Sequence, residues 1–320
     1  MEQQTFGKNR PLGRGGAVLV CLLALAGGPL WAELQADGFA ALGKGTSGGG
    51  EARPVRVADE ASFLAAVKGH EKKVIHVAGP IVLSKSVSIG SHTTLSGVAA
   101  DAGFSGGAFK IQGENVIVQG LSFGPAKGDL MEISGARRVF VTQCDFRDSS
   151  DELCSIVRGA DLVTISWCRF FFENPDSHSF AHLIGNSDKA TGDRGKLRVT
   201  LHHNWYTTGV RGRQPRVRFG QVHLYNNLYD FADTGYAIGT GKECQVRVEA
   251  THFAGVRQAW KDHGGSKDGR IGWRHLKFSQ GSHEPGYMEN SFPVFEVPYE
   301  FQPDPVERVA EIVRERAGHR

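Results

Sequence analysis

The sequence has 320 residues, a formal net charge of +3 and 22% charged residues, and it contains 42 glycines. This length allows one large domain or two small ones with a substantial buried core. A net charge this small does not by itself predict a nucleic-acid-binding protein.

The first 32 residues have the pattern of an export signal. Lys8, Arg10 and Arg14 precede the apolar run AVLVCLLALAGGPLWA, which is shorter than a helix that spans a bilayer. The small residues near Ala32 suit a cleavage site, and an uncut N-terminal anchor is the alternative. We therefore expect residues 1–32 to be a signal peptide. We expect residues 33–320 to be one mature domain, secreted or periplasmic, with no membrane segment after processing.

Two segments near the ends of the mature chain have helical patterns. Residues 59–70, DEASFLAAVKGH, combine helical spacing with an acidic start. The segment DPVERVAEIVRERAG predicts a C-terminal helix with Asp304 as its N-cap and Pro305 in its first turn. We expect these short helices to cap the two ends of the fold.

One short pattern, V-x-[VIL]-x-x-x-x-[FY], recurs between these segments. It begins at Val116, Val139, Val163, Val199, Val222 and Val246, with steps of 23, 24, 36, 23 and 24 residues. Regular spacing of a short segment that alternates β-branched and polar residues is typical of stacked repeats. The sequence therefore predicts an all-β parallel β-helix, in which each coil pairs with the next.

Equivalent positions of the repeat predict columns of side chains. Asn204 and Asn227 are expected to form an amide ladder by bonding to each other. For Cys144 and Cys168, which lie in the same column, a disulfide and an unbridged thiol stack both remain open. The last position predicts an aromatic stack of Phe123, Phe146, Phe170, Tyr206, Tyr229 and Phe253.

The loops after the aromatic column should share one face of the coil, and they carry most of the notable charges. The acidic residues of these loops are Asp129, Asp148, Asp151, Glu152, Glu173 and Asp176. The arginines of the next coil are Arg211, Arg213, Arg216 and Arg218. Clustered carboxylate oxygens on loops suit Ca²⁺, and solvated ion pairs are the alternative. A row of arginines suits an acidic polymer, and for an exported protein we expect an acidic polysaccharide rather than nucleic acid.

The run VTISWCRF…LIGNSD…GKLRVTLHHNWY…RGRQPRVRFGQVHLYNNLYD closely resembles the pectate lyase family, polysaccharide lyase family 1 of the pectate/pectin lyase superfamily. Residues 36–50 and 297–313 resemble its terminal signatures. The resemblance implies a single-stranded, right-handed parallel β-helix with a catalytic domain over residues 33–320. It also implies β-elimination of a uronate polymer, in which a base removes the C5 proton and the C4 glycosidic oxygen leaves. We expect a monomer.

The resemblance also assigns roles to individual residues. Arg213 matches the proposed base, Arg218 matches a clamp on the substrate carboxylate, and Arg216 lies between them as a further substrate contact. Asp129 and Asp151 match acidic Ca²⁺ ligands. Because an arginine is protonated at neutral pH, we expect an alkaline activity optimum.

Several positions depart from the family pattern. Thr142 stands where an Asp is usual, Ser155 replaces an acidic Ca²⁺ ligand, and Phe180 replaces a substrate-binding Lys. We expect these three departures to affect whether Ca²⁺ is bound, and three hypotheses follow. The chain cleaves polygalacturonate with Ca²⁺, it acts without Ca²⁺ in the manner of pectin lyases with Lys127 or Arg158 supplying the charge, or it only binds a uronate polymer.

Overall fold

The computed structural model describes residues 35–263, 268–285 and 293–320, so the predicted signal peptide lies outside the described residues. In these residues the strands form three parallel sheets, and a complete coil contributes one strand to each sheet. The predicted parallel β-helix is confirmed.

The strands of each sheet are given in coil order. The ten-stranded sheet contains Pro54–Val57, Lys73–Val77, Thr93–Gly97, Glu114–Gln119, Arg137–Thr142, Asp161–Ser166, Arg198–His202, Gln221–Tyr225, Gln245–Glu249 and Arg270–Arg274. The nine-stranded sheet contains Pro80–Val82, Gly103–Gly106, Ser122–Ala126, Asp145–Arg147, Arg169–Phe171, Trp205–Tyr206, Leu228–Asp230, His252–Ala254 and Lys277–Ser279. The eight-stranded sheet contains Val87–Ile89, Phe109–Ile111, Met131–Ser134, Cys154–Val157, Leu183–Ile184, Arg216–Val217, Ile238–Thr240 and Trp260–Asp262.

The repeated pattern spans two strands and the bend between them. Its valines lie in the ten-stranded sheet, where Val139 pairs with Val163 and Val163 with Val199. The bend contains a residue in the left-handed region, such as Gln143 or Trp167, with φ of 55° and 53°. A single residue of this kind turns the chain sharply, so the aromatic position falls in the nine-stranded sheet.

The aromatic column is confirmed and longer than the sequence pattern predicts. Neighbouring rings from Phe123 to Phe253 are stacked with centroids 4.8–5.2 Å apart. Phe104 and Phe278 extend the stack at its two ends. The rings lie inside the coil beside the buried valines and stabilise it by burial of apolar surface and by ring contacts.

The predicted Asn ladder is wrong in its bonding. Both side chains are buried, but each bonds to the backbone of the preceding coil. The Asn204 Oδ1 accepts from the N–H of Cys168, and the Asn227 Oδ1 accepts from the N–H of Asn204, both at 3.0 Å. The Asn227 amide also donates to the carbonyl of Leu201 at 2.8 Å. The side chains are used in this way because the bend leaves backbone groups outside the sheet ladders.

All four cysteines in the described residues are buried and unbridged. The thiols of Cys144 and Cys168 each lie 3.2 Å from a backbone carbonyl of their own bend. Of the two arrangements that the sequence leaves open for Cys144 and Cys168, the structure therefore has the unbridged thiols.

The N-terminal helix, Glu60–Ala66, caps the first coils as predicted. Asp59 is its N-cap, and the carboxylate accepts from the N–H of Ser62 at 2.9 Å. Phe63 is buried against Phe104, with ring centroids 4.6 Å apart. Two 3₁₀ turns, Gly38–Ala41 and Thr191–Asp193, lie along the chain.

The C-terminal helix differs from the prediction in its start and in its position. A 3₁₀ turn, Val306–Arg308, leads into the helix Val309–Arg316, and Pro305 takes the N-cap position of that turn. The Asp304 carboxylate instead lies 3.1 Å from His203 Nε2. The apolar side of the helix packs on the flank of the coil, against Leu228 and Trp205, and does not cap its end. None of the helices in the described residues has the length and apolarity required to cross a bilayer.

Candidate active site

The face predicted to carry these charges lies along the eight-stranded sheet and the loops that enter it, and we call this surface the groove. Leu183 pairs with Arg216, and Ile156 pairs with Ile184 one coil earlier. Just before these strands, Phe180 bridges to Glu152 on one side and to Gly212 on the other. Residues near 152, 180 and 212 are therefore neighbours on successive coils. This register brings the acidic loop and the arginine loop together.

Arg213 is held in place by three contacts. Its guanidinium is paired with the carboxylate of Glu152, whose side chain is 3% exposed. The guanidinium also lies over the ring of Phe180, 4.3 Å from the centroid. Its backbone has a φ of 52°, and its carbonyl accepts from the N–H of His182 at 2.6 Å. An ion pair and a ring contact of this kind fix the direction of a long flexible side chain.

Asp129 lies on the coil before Glu152. Its Oδ1 accepts from the N–H of Glu152 at 3.1 Å. The pKa of Asp129 is raised to about 6. Burial is the largest cause, the carboxylates of Asp151 and Glu132 add to it, and the hydroxyl of Ser155 opposes it. The site therefore concentrates negative charge in a partly desolvated position, which a cation would stabilise.

Asp151 forms a second acidic group beside Asp129. Its Oδ1 lies 2.9 Å from the Nε2 of His178, and its side chain is half exposed. One ligand atom each from Asp151, Glu152 and His178 lies within 4.8 Å of the others. The carboxylates of Asp129 and Asp151 are hard oxygen ligands of the kind that Ca²⁺ prefers. Glu152 is less available to a cation because Arg213 already neutralises it.

Arg216 lies in the following strand of the sheet, and Arg218 comes directly after that strand. Arg218 is 8% exposed, and its guanidinium donates to Asp188 at 2.5 Å and to the carbonyl of Gly185 at 2.8 Å. Arg216 is half-buried, and its Nε has no hydrogen-bond partner among the residues the structure describes. Burial lowers the pKa of Arg216, and the charges of Arg218 and Arg213 lower it further.

Not every predicted charge joins this site. Asp148 accepts from the N–H groups of Glu173 and Asn174, and Arg147 pairs with Glu173 at 3.0 Å, so these residues form their own cluster. Arg211 is exposed. Asp176 accepts from the N–H of His178 and orders the loop instead.

The structure changes the meaning of the departures from the family pattern. Thr142 is buried in the ten-stranded sheet, where its hydroxyl accepts from Ser166 at 3.1 Å. It therefore has no part in the groove, contrary to the expectation that it affects the metal site. Ser155 and Phe180 do line the site, beside Asp129 and Arg213. Arg158 pairs with Glu132 at 2.6 Å, and Lys127 is exposed.

Other residues of the groove have no signal in the sequence pattern. Glu152 as the partner of Arg213 depends on the bridge to Phe180, which a repeat period does not reveal. Tyr236, Lys261 and His263 lie on the next coils, where Lys261 Nζ is 4.4 Å from the centroid of the Tyr236 ring. The repeat template predicts the strands but not which loop side chains meet.

Similarity to solved structures defines the class of fold. A thermostable pectate lyase, PL 47, superposes with a TM-score of 0.79 and 23% identity, over 88% of this chain and 96% of that one. A pectate lyase from Acidovorax avenae subsp. citrulli gives a TM-score of 0.73 and 17% identity, over 95% of this chain and 98% of that one. The chain has the parallel β-helix of the polysaccharide lyases.

Similarity in sequence is more specific. The family model described as pectate lyase matches residues 16–262. Pectate lyase A of Emericella nidulans is 32% identical over 240 residues, 71% of each chain. Pectate lyase E of Dickeya chrysanthemi is 32% identical over 296 residues, 73% of this chain and 75% of that one. This chain belongs to the pectate lyase family, and it is a polysaccharide lyase.

Proposed function

We propose that this protein cleaves polygalacturonate by β-elimination, with Arg213 as the base. The observation that carries the proposal is the position of Arg213, which lies on the groove between an acidic loop and a second arginine, Arg218. A structure of a Bacillus sp. N165 pectate lyase in complex with trigalacturonate, similar to this chain with a TM-score of 0.75, supports an acidic oligosaccharide as the ligand class.

The side chains divide the reaction between them. Arg218 binds the C6 carboxylate of the sugar whose C5 proton is removed, which stabilises the negative charge that develops there. The neutral form of Arg213, which alkaline pH favours, takes that proton and becomes the guanidinium that pairs with Glu152. The electron pair of the broken C–H bond forms the C4–C5 double bond as the C4 oxygen leaves.

Asp129 and Asp151 would hold Ca²⁺ on the same face. Bound there, the cation would supply positive charge to the uronate carboxylate, in the way metal ions assist charge development. The chain offers fewer carboxylates than the family pattern, and Glu152 is committed to Arg213. We therefore expect a weak site, with a Kd on the order of 10⁻⁴–10⁻³ M.

The N-terminal pattern supports export, so we propose that the enzyme acts outside the cytoplasm on polymeric substrate. We also propose that it acts as a monomer. The Ca²⁺-independent alternative draws less support, because Arg158 is already neutralised by Glu132 and Lys127 projects into solvent.

The test is the ultraviolet absorbance of the 4,5-unsaturated product. Purified protein is incubated with polygalacturonate and with methyl-esterified pectin, each with added Ca²⁺ or with chelator. Product from polygalacturonate with Ca²⁺, at an alkaline optimum, supports the proposal, and absence of product from every polymer would refute it. Arg213→Lys should abolish turnover while the protein still binds polymer; unchanged turnover would assign the base to another residue.

A further inference from the structure

The outward face of the last strands of the eight-stranded sheet carries two cations that pair with no carboxylate of the described residues. Arg216 pairs with Gly239, and Gly239 pairs with Lys261, so the three form one column on successive coils. In the two columns on either side of it, Val217 and Ile238 face the core. Arg216 and Lys261 are thus two coils apart, about 10 Å by strand spacing, and both point to the groove.

Gly239 opens a notch between these two cations. A Cβ at this position would lie 2.9 Å from the Tyr236 ring and 3.5 Å from Arg216 Cγ. Glycine therefore allows the ring of Tyr236 to pack against the strand as the floor of the notch. Lys261 Nζ lies 4.4 Å from the centroid of that ring, and His263 closes one side.

The cations of this notch have no carboxylate in direct contact among the residues that the structure describes. In residues 35–263, 268–285 and 293–320, neither Arg216 nor Lys261 has an acidic partner within 4.0 Å. The Nε of Arg216 is removed from solvent without an acceptor, which is costly for a guanidinium unless a ligand supplies one. Asp188, whose charge acts on Arg216, already accepts from Arg218.

The neighbouring histidine shows the same excess of positive charge. Burial lowers the pKa of His263, and the charges of Arg216, Lys261 and Arg213 lower it further, to about 4. His263 is therefore neutral at the working pH and offers a hydrogen bond rather than a charge. The backbone N–H of His263 donates to the carbonyl of Thr240 at 2.7 Å, which fixes the position of the residue.

We propose that Arg216 and Lys261, over the ring of Tyr236, form a subsite for the carboxylate of a second uronate unit, on the Lys261 side of the cleaved bond. This inference rests on the proposed function, since it places Arg213 at the reacting sugar. The subsite selects a free carboxylate, because a methyl ester cannot accept two charged donors equally well. It makes Lys261 a specificity residue that touches substrate but does not take part in the chemistry.

The test compares Lys261→Met with Lys72→Met. Lys72 is an exposed lysine in the turn before the strand Lys73–Val77, so the control removes the same charge at a distance from the groove. The first measurement is retardation of each protein in gels containing polygalacturonate, corrected by mobility in gels without it. Lys261→Met should bind about tenfold more weakly than wild type, Lys72→Met as wild type, and Lys261→Arg should recover most of the affinity.

The second measurement is kcat/KM on oligogalacturonates of increasing length. For the wild type, kcat/KM should rise when the oligogalacturonate becomes long enough to reach the notch. In Lys261→Met this rise should be about tenfold smaller, while activity on the shortest substrate is retained. Identical retardation and identical length dependence for the two Met variants would overturn the subsite. If Lys261→Met weakens retardation but the wild-type protein forms no product, the subsite is supported and the lyase activity is rejected.

Discussion

The guanidinium of Arg213 is paired with the carboxylate of Glu152, and the two side chains are only 17% and 3% exposed. They come from positions 61 residues apart and meet because Glu152, Phe180 and Gly212 lie side by side on successive coils. A flexible arginine is thereby given one orientation toward the groove. The proposed base is thus paired with a carboxylate that is itself almost fully buried.

Glu152→Gln should reduce kcat by roughly 10²-fold and leave KM for polygalacturonate nearly unchanged. The glutamine keeps an acceptor of similar shape but removes the charge that orients Arg213, and misplacement of a reacting group by about 1 Å has effects of this size. Steady-state kinetics over a range of pH measure both the split between kcat and KM and any change in the pH profile.

The control for Glu152→Gln is Glu173→Gln, which breaks the exposed ion pair with Arg147. Exposed pairs contribute little, so this variant should keep wild-type kinetics. A Glu152→Gln enzyme with wild-type kcat at every pH would show that Arg213 does not need its partner.

Ca²⁺ at 1–10 mM, roughly the range set by a weak extracellular-type site, should raise the Tm of the wild-type protein by a few degrees. Asp151→Asn should remove most of this rise, because it removes one of the two carboxylates that are free of an arginine. Thermal unfolding with Ca²⁺, with Mg²⁺ and with chelator measures the effect without requiring turnover.

Asp148→Asn is the matched control for the metal site. Asp148 accepts from the backbone of Glu173 and Asn174 and belongs to the neighbouring cluster. This variant should have a lower Tm but the same response to Ca²⁺. If Asp151→Asn and Asp148→Asn respond equally to Ca²⁺, the cation binds elsewhere.

The repeat predicts the columns of this fold because burial depends on position in a coil. Val139 and Val163 occupy one inward position in successive coils, and Phe146 occupies a second inward position. Apolar side chains recur at each of these positions with the period of the coil. The arginines of the groove follow from the same register, since Arg213 and Arg218 lie beside strands of one sheet. These features are local in sequence or periodic, so a pattern reveals them.

Contacts that depend on bends and on loop length are not visible in the pattern. Gln143 and Trp167 adopt left-handed backbone conformations that glycine and asparagine favour more strongly, and no local residue type marks the bend. The side chains of Asn204 and Asn227 bond to backbone groups that the bend exposes, rather than to each other. The position of the C-terminal helix depends on Leu228 and Trp205, which lie far from it in sequence.

Asn227→Ala should lower the free energy of unfolding by roughly 2–4 kcal/mol, because it leaves two buried backbone groups without partners. These groups are the N–H of Asn204 and the carbonyl of Leu201. Urea unfolding followed by circular dichroism measures the loss. Asn174→Ala, at an exposed position, should change stability by less than about 0.5 kcal/mol. Equal stability of the two variants would mean that water replaces the lost amide.

The buried carboxylate of Glu249 gives a prediction about acid stability. Burial raises the pKa of Glu249, but hydrogen bonds from His223, Arg247 and Arg274 outweigh it and hold the pKa at about 2, below the ordinary value of 4.5. The three donor nitrogens lie 3.3, 2.6 and 2.8 Å from the carboxylate oxygens. Because the folded pKa is the lower one, the stabilisation is present above pH 4.5 and is lost as the pH falls toward 2.

Glu249→Gln should therefore reduce stability by roughly 3 kcal/mol at pH 7, since it leaves Arg247 and His223 without their shared anion. The difference from wild type should shrink between pH 4.5 and 2, where the wild-type carboxylate takes up its proton. Urea unfolding at a series of pH values measures this convergence. Glu311→Gln, which removes an exposed partner of Arg308, should follow the wild-type curve throughout. A Glu249→Gln deficit that stays constant from pH 7 to pH 2 would show that the loss is one of packing and not of charge.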